Sequence, residues 1–301
     1  MASRSSRNWV LALVVLLLGA GVLLALLLRP EGASTLPGKA AGGTNALLVH
    51  RIAADRLLLG TDDGAFESVD GGRSWSRSGL DGREVAAIAR LKDGTVWAGG
   101  RGFLSRSSDG GRSWTDVHPP GLPSLDVRAL SASRDVSGRL EAAIGGKGLF
   151  RSDNGGRAFE KLGLSSQAGS EARALCETID GVIFLSDERL GTVVNGDGDG
   201  RDWLKALGRS PSALAPNYSD RHHALLLAST EEGILRTTDK GQTWREVLSL
   251  GKGAGPVAFS QSRIGLAYAI TGDGTAYSST DFGATWAPVE AAGSPSPPAS
   301  G

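Results

Sequence analysis

Hydrophobic and polar positions fall into two regimes along the chain. The first is one unbroken apolar run, WVLALVVLLLGAGVLLALLL, from Trp9 to Leu28. At the helical rise a charge-free stretch of this length just spans a hydrocarbon core, so it predicts a transmembrane helix. The second regime runs from about Ala46 to Glu290. Here short stretches alternate apolar and polar residues and are cut by Gly-rich turns, which is the period-2 pattern of half-buried strands. VAAIARL, TVWAGG, FLSRSSD and SWTDV, from Val85 to Val117, read as four consecutive strands. VRALSAS, RLEAAIG, GLFRSD and AFEKLG repeat that unit between Val127 and Gly163.

Within this second regime one octapeptide returns. Its full copies are SVDGGRSW (Ser68, Asp70, Gly72, Trp75), SSDGGRSW (Ser107, Asp109, Gly111, Trp114), TTDKGQTW (Thr237, Asp239, Gly241, Trp244) and STDFGATW (Ser279, Asp281, Gly283, Trp286). Two decayed copies fill the gap: SDNGGRAF, with Asn154, Gly156 and Phe159, and GDGDGRDW, ending at Trp203. The closing aromatics therefore recur roughly every 40 residues, the period of a propeller blade. A single antiparallel unit of this size cannot bury both faces, whereas six in a ring can. The expected fold is all-β, a six-bladed β-propeller of four-stranded antiparallel blades over residues 46–290, preceded by one transmembrane helix. The octapeptide falls on the turn between third and fourth strands. There the Asp carboxylate accepts N–H groups of its own turn, Gly supplies a positive φ, and the Trp is expected to fold back over its own hairpin. A carboxylate repeated in every blade sits on the periphery, so these aspartates are assigned to folding rather than turnover.

The S-x-D-x-G-x-x-W octapeptide, repeated around a propeller, resembles the bacterial neuraminidase (BNR, or Asp-box) repeat. That repeat is shared by sialidases, sortilin-type receptors and photosystem II stability/assembly factor-like propellers. The resemblance covers about Ala46 to Glu290 and implies the fold strongly but the function weakly, because one scaffold hosts many activities. A sialidase-like reading implies an arginine clamp and a Tyr nucleophile. The first-blade place of the family's Arg-Ile-Pro motif reads His50-Arg51-Ile52-Ala53, which makes Arg51 the carried-over candidate, with Tyr268 and Tyr277 as candidate nucleophiles. The Pro of the motif is absent. An acid-x-Arg opening at the first strand of successive units is similar to the assembly-factor-like propellers, where arginines on one face contact partner proteins. Here it is carried by Asp126 with Arg128 and by Glu171 with Arg173, while Glu84 precedes an alanine. In a propeller the first strands ring the channel, which would gather these side chains at one mouth. Local ion pairing at a solvated strand end is the alternative.

The flanks set an address. Arg4 and Arg7 precede the apolar run, while Glu31 closely follows Arg29. This asymmetry places the N-terminus (1–8) in the cytoplasm and the propeller outside it, on a single-pass anchor (9–28). The run exceeds a signal-peptide core, so an uncleaved anchor is preferred, with cleavage near Ala33 or Ala40 as the alternative. Residues 29–45 and 291–301 are Pro/Gly/Ala/Ser-rich and read as a flexible linker and a disordered tail. Lys+Arg 32 balances Asp+Glu 32, which gives no positive field for nucleic acid. The lone Cys176 lies in an apolar stretch and reads as a small buried hydrophobe. Asn195, Asp197 and Asp199 before Gly200 mimic half of a calcium loop, but Ala206 stands where a bidentate Glu belongs. The adjacent His222 and His223 point to opposite sides of an extended chain and do not share a metal. No cofactor is expected. The sequence leads to a membrane-anchored propeller that holds a protein partner, with an exo-glycosidase or glycan-binding lectin as the rival.

Overall fold

The computed structural model describes residues 43–163, 168–199, 202–219, 224–250, 253–272 and 274–290. The cytoplasmic segment 1–8, the span 9–28, the linker up to residue 42, the tail 291–301, Gly200 and the His222-His223 pair lie outside the described residues.

Six four-stranded antiparallel sheets follow one another in strict chain order. They are blade 1 (Thr44–Arg77), blade 2 (Val85–Asp116), blade 3 (Val127–Lys161), blade 4 (Ala172–Leu207), blade 5 (Ala213–Ser249) and blade 6 (Ala254–Pro288). The first strand of each blade contacts the first strands of both neighbours, blade 6 against blade 1 included, so the sheets close into a ring. No strand is exchanged at that closure, and every blade is one continuous run of chain. Side-chain hydrogen bonds join the first and sixth blades: Thr44 Oγ1 donates to Thr271 O at 3.2 Å, and Tyr268 Oη to Asp55 Oδ1 at 3.1 Å.

In blades 2 and 3 the first three strands fall where the alternation places them: Val85–Arg90, Val96–Gly100 and Phe103–Ser107, then Val127–Ala132, Leu140–Ile144 and Gly148–Ser152. The outermost strand is shorter than the pattern suggests, only Thr115–Asp116 and Glu160–Lys161, because the octapeptide turn consumes the residues before it.

The four full octapeptides are saturated within themselves. Ser68 Oγ donates to Asp70 Oδ1 at 2.8 Å, Ser74 N to the same oxygen at 2.9 Å, and Ser74 Oγ to Oδ2 at 2.6 Å. Asp109, Asp239 and Asp281 repeat the pattern with Ser113, Thr243 and Thr285. Hydrogen bonds from Thr237 and Thr243 hold the Asp239 carboxyl down at about 2, and those from Ser113 and Ser107 hold Asp109 lower still. In blade 3 both ends of the outer bond are lost together: Asn154 replaces the Asp and Ala158 the hydroxyl, while Asn154 Oδ1 still accepts from Ala158 N at 3.0 Å. In blade 4 the turn is one residue longer. Asn195 ends the third strand opposite Ile183, as Ser68 does opposite Leu57, and seven residues rather than six separate it from the closing Trp203.

The aromatic at the end of each octapeptide packs on its own blade, with Trp244 and Trp286 donating Nε1 to Gly241 O and Gly283 O of their own turns, and it also reaches further. It crosses the seam to the preceding blade. Trp75 packs with Leu266, Tyr268 and Ile270 of blade 6, Phe159 with Trp97 and Leu104 of blade 2, and Trp244 with Phe184 and Cys176 of blade 4. Trp114 additionally donates Nε1 to Ser78 O at 2.8 Å, a residue just past blade 1. The octapeptide glycine permits this approach twice over. Gly156 has φ 80°, and a Cβ there would lie 2.3 Å from the Trp97 ring of the preceding blade. The repeat therefore locks adjacent blades together, since blade faces bury their apolar area only against each other.

Candidate functional site

One branched apolar residue from each innermost strand, Leu47, Ile88, Leu130, Leu175, Leu214 and Val257, lines the axial channel at middle depth. This ring borders both of the shallow cavities at the two ends of the channel, about 120 Å³ on the octapeptide face and about 80 Å³ on the opposite face. They arise because alternate residues of each innermost strand point inward, so the residues two positions either side of the ring line the two mouths.

The mouth opposite the octapeptides carries the acid-x-Arg residues. Arg128 and Arg173 both line it. Each is neutralised locally: Arg128 Nη2 lies 3.0 Å from Asp126 Oδ2, and Arg173 Nη1 lies 3.9 Å from Glu188 rather than from Glu171. Glu84 pairs with Arg101 at 3.7 Å, and Glu171 is exposed and uses its backbone N–H on Asp187 Oδ2. Exposed pairs of this kind contribute little to stability.

The mouth on the octapeptide face is different. Arg90, Arg134, Tyr218 and Gln261 line it. Arg90 is 7% exposed; its Nη1 donates to Val49 O at 3.0 Å and its Nη2 to Gln261 Oε1 at 2.7 Å. Arg134 stacks over the Tyr218 ring at 5.4 Å. Burial, then repulsion from Arg134 and Arg51, lowers Arg90 to about 10, and burial lowers Arg134 as well. Arg90 also forms a wall of a second cavity of about 420 Å³ between blades 1 and 2, with His50, Arg51, Ile52, Leu58 and Val96. Neither Arg90 nor Arg134 stands out in the sequence. The available signal was a cation ending an otherwise apolar strand, VAAIAR, which is costly unless used or paired.

The three glycosidase candidates lie in three different seams. Arg51 reaches toward blade 2, donating Nη1 to Lys92 O at 2.9 Å. Tyr268 is buried between blades 6 and 1, where burial and Asp55 push its hydroxyl up to about 12. Tyr277 packs against the core shared by blades 5 and 6. Two carboxyls that no motif marked are buried close together: Glu141 and Glu177, 0% and 1% exposed, on blades 3 and 4. Burial, then the neighbouring Glu177, pushes Glu141 well up, and Arg151 and Arg139 flank the pair. Their burial keeps them from any substrate. In the calcium-like loop, Asn195 Nδ2 donates toward Asp199 Oδ1 and Asp202 O while Asp197 is exposed. Among the described residues no group of three or more His, Cys, Asp or Glu side chains gathers into a metal-binding cluster. Cys176 is 4% exposed, with its thiol pushed up by burial.

No protein-family model matches the chain. Over 119 residues, 36% of its length, the chain is 29% identical to a xyloglucanase of Hypocrea jecorina (strain QM6a), and the match spans 14% of that protein. Among solved structures it is similar to "YCF48 bound to D1 peptide", with 18% identity over 82% of this chain and 81% of that one and a TM-score of 0.52. It is similar also to YCF48 from Cyanidioschyzon merolae, with 19% identity, coverage of 86% and 87%, and a TM-score of 0.51. A GH74 xyloglucanase from Xanthomonas campestris shares 18% identity over 86% of this chain and 46% of its own, with a TM-score of 0.57. At these identities the likeness establishes the fold, and a common fold serves unrelated activities.

Proposed function

We propose that this chain is a membrane-anchored, extracytoplasmic Asp-box propeller that holds a protein partner on its octapeptide face, as an assembly or stability factor does. The observation carrying this reading is the contrast between a channel blocked at middle depth by six apolar side chains and an arginine-rich surface open on the octapeptide face. The similar propeller described as bound to D1 peptide supports the idea that such a ring can receive a polypeptide. The apolar run Trp9–Leu28 and its basic N-terminal flank supply the anchor and its orientation.

Photo-crosslinking residues placed singly at Ile52, on the octapeptide face, and at Lys147, on the opposite face, test this in membranes containing the full-length chain. A discrete protein adduct from Ile52 and none from Lys147 is expected; the absence of an adduct from both positions refutes it. The rival, a glycan-binding or glycan-cleaving propeller, is favoured by the 29% identical segment shared with a xyloglucanase. Turnover of xyloglucan or of an aryl sialoside by the purified chain, abolished in Arg51→Ala, would establish that rival.

A further inference from the structure

Three arginines line the two cavities of the octapeptide face, the channel mouth and the groove between blades 1 and 2, which share a wall. Arg90 lines both cavities, Arg51 the groove and Arg134 the mouth. Among the described residues, none of the three has a carboxylate within ion-pair distance. Neutral groups hold them instead. Val49 O and Gln261 Oε1 accept from Arg90, Lys92 O accepts from Arg51, and the Tyr218 ring lies under Arg134. Arg90 Nε is buried without a hydrogen-bond partner. The acids of the groove are already engaged: Glu67 with Arg56, Asp109 with its own turn, and Asp93 Oδ1 with Thr95 N. Of the three, Arg90 is buried, Arg134 half-buried and Arg51 exposed, so it is Arg90 that holds a charge and an unsatisfied Nε away from water, and a buried guanidinium in this state is completed by an anion from outside.

The surroundings select the anion. The mouth offers about 120 Å³, below the roughly 300 Å³ at which small-molecule sites begin, yet enough for a carboxylate. Beside it the groove presents aliphatic wall from Leu48, Leu58, Val96 and Ile52, the last 80% exposed. A planar carboxylate flanked by branched aliphatic side chains meets both demands, whereas a hydroxyl-covered sugar acid meets only the first. We propose that Arg51, Arg90 and Arg134 seat the side-chain carboxylate of an Asp or Glu in an aliphatic-flanked segment of a partner protein. This rests on the protein-binding reading above and names the chemistry of its contact.

The test uses the full-length chain in detergent and a labelled peptide, acetyl-Leu-Glu-Leu-Glu-Leu-amide, with its Gln counterpart. The Glu peptide is expected to bind at least about tenfold more tightly, the scale of one charge-assisted hydrogen bond. The Arg51→Gln/Arg134→Gln double variant, whose side chains carry no packing core, is expected to lose that preference with an unchanged unfolding midpoint. Arg128→Gln at the opposite mouth is expected to keep it. Equal binding of the two peptides, binding of neither, or full preference in the double variant overturns the assignment. So does arginine-dependent binding of oligogalacturonate in place of the peptide. Should the Ile52 adduct persist undiminished in the double variant, the platform reading stands and this contact alone fails.

Discussion

The rim and the hub of one face treat charge in opposite ways. Around the rim, the carboxylates of Asp70, Asp109, Asp239 and Asp281 accept from hydroxyl and N–H groups of their own turns. At the hub, burial and neighbouring arginines lower Arg90 and burial lowers Arg134, and among the described residues Arg51, Arg90 and Arg134 have no carboxylate within ion-pair distance. The lesson is that charges repeated from blade to blade serve the ring, while charges that occur once are the ones left open for recognition. Two readouts, unfolding free energy and binding of the acidic peptide, separate the two regions.

The largest effect is expected from Trp75→Ala. Trp75 is 1% exposed and wedged between blades 1 and 6, so its loss should cost about 3–5 kcal/mol in denaturant unfolding while the folded fraction still binds peptide. Loss of the peptide preference without loss of stability would erase the distinction between rim and hub. Next, Asp109→Ala removes acceptors from Ser107, Arg112 and Ser113 and should cost about 1–2 kcal/mol, the scale of a lost turn or cap bond, again with binding intact. Smallest, and of opposite sign, Asn154→Asp combined with Ala158→Ser should restore the outer bond of blade 3. A gain of about 0.5–1 kcal/mol is expected from the pair and less from either change alone.

Acid and base sharpen the same contrast. The octapeptide aspartates are depressed, so their stabilisation is full above their unfolded value of about 4 and is lost as pH falls through about 2 for Asp239 and Asp281. Glu141 has the opposite sign. Its carboxyl is raised by burial and by the neighbouring Glu177, so its contribution is full below about 4.3 and declines as pH rises from there toward the raised folded value. Glu141→Gln is expected to flatten the neutral-side fall of the melting temperature and leave the acid-side fall unchanged; an unaltered profile would mean that Glu141 is not raised in the folded state.

Much of the ring was legible because its signal is local and repeated: strand alternation, Gly turns and the octapeptide lie within a few residues of one another. Two features were hidden for one reason. Trp244 meets Phe184 only because the blade before it presses against its turn, a contact about 60 residues away along the chain. Arg51, Arg90 and Arg134 sit in a loop, at a strand end and in a second loop of three different blades, so no shared motif joins them and only closure of the circle does. The acid-x-Arg pattern was easier to see, and the structure shows that its charges are already spent on Asp126 and Glu188.

Because each blade is an uninterrupted segment and no strand is exchanged where the first meets the last, the order in which the chain visits the six wedges is not itself a stabilising element. A circular permutant of the propeller segment 43–290 that begins within the Val117–Asp126 connection and joins residue 290 to residue 43 through a short Gly/Ser bridge keeps every sheet. Topologically, the architecture is a closed necklace whose clasp can be moved from bead to bead.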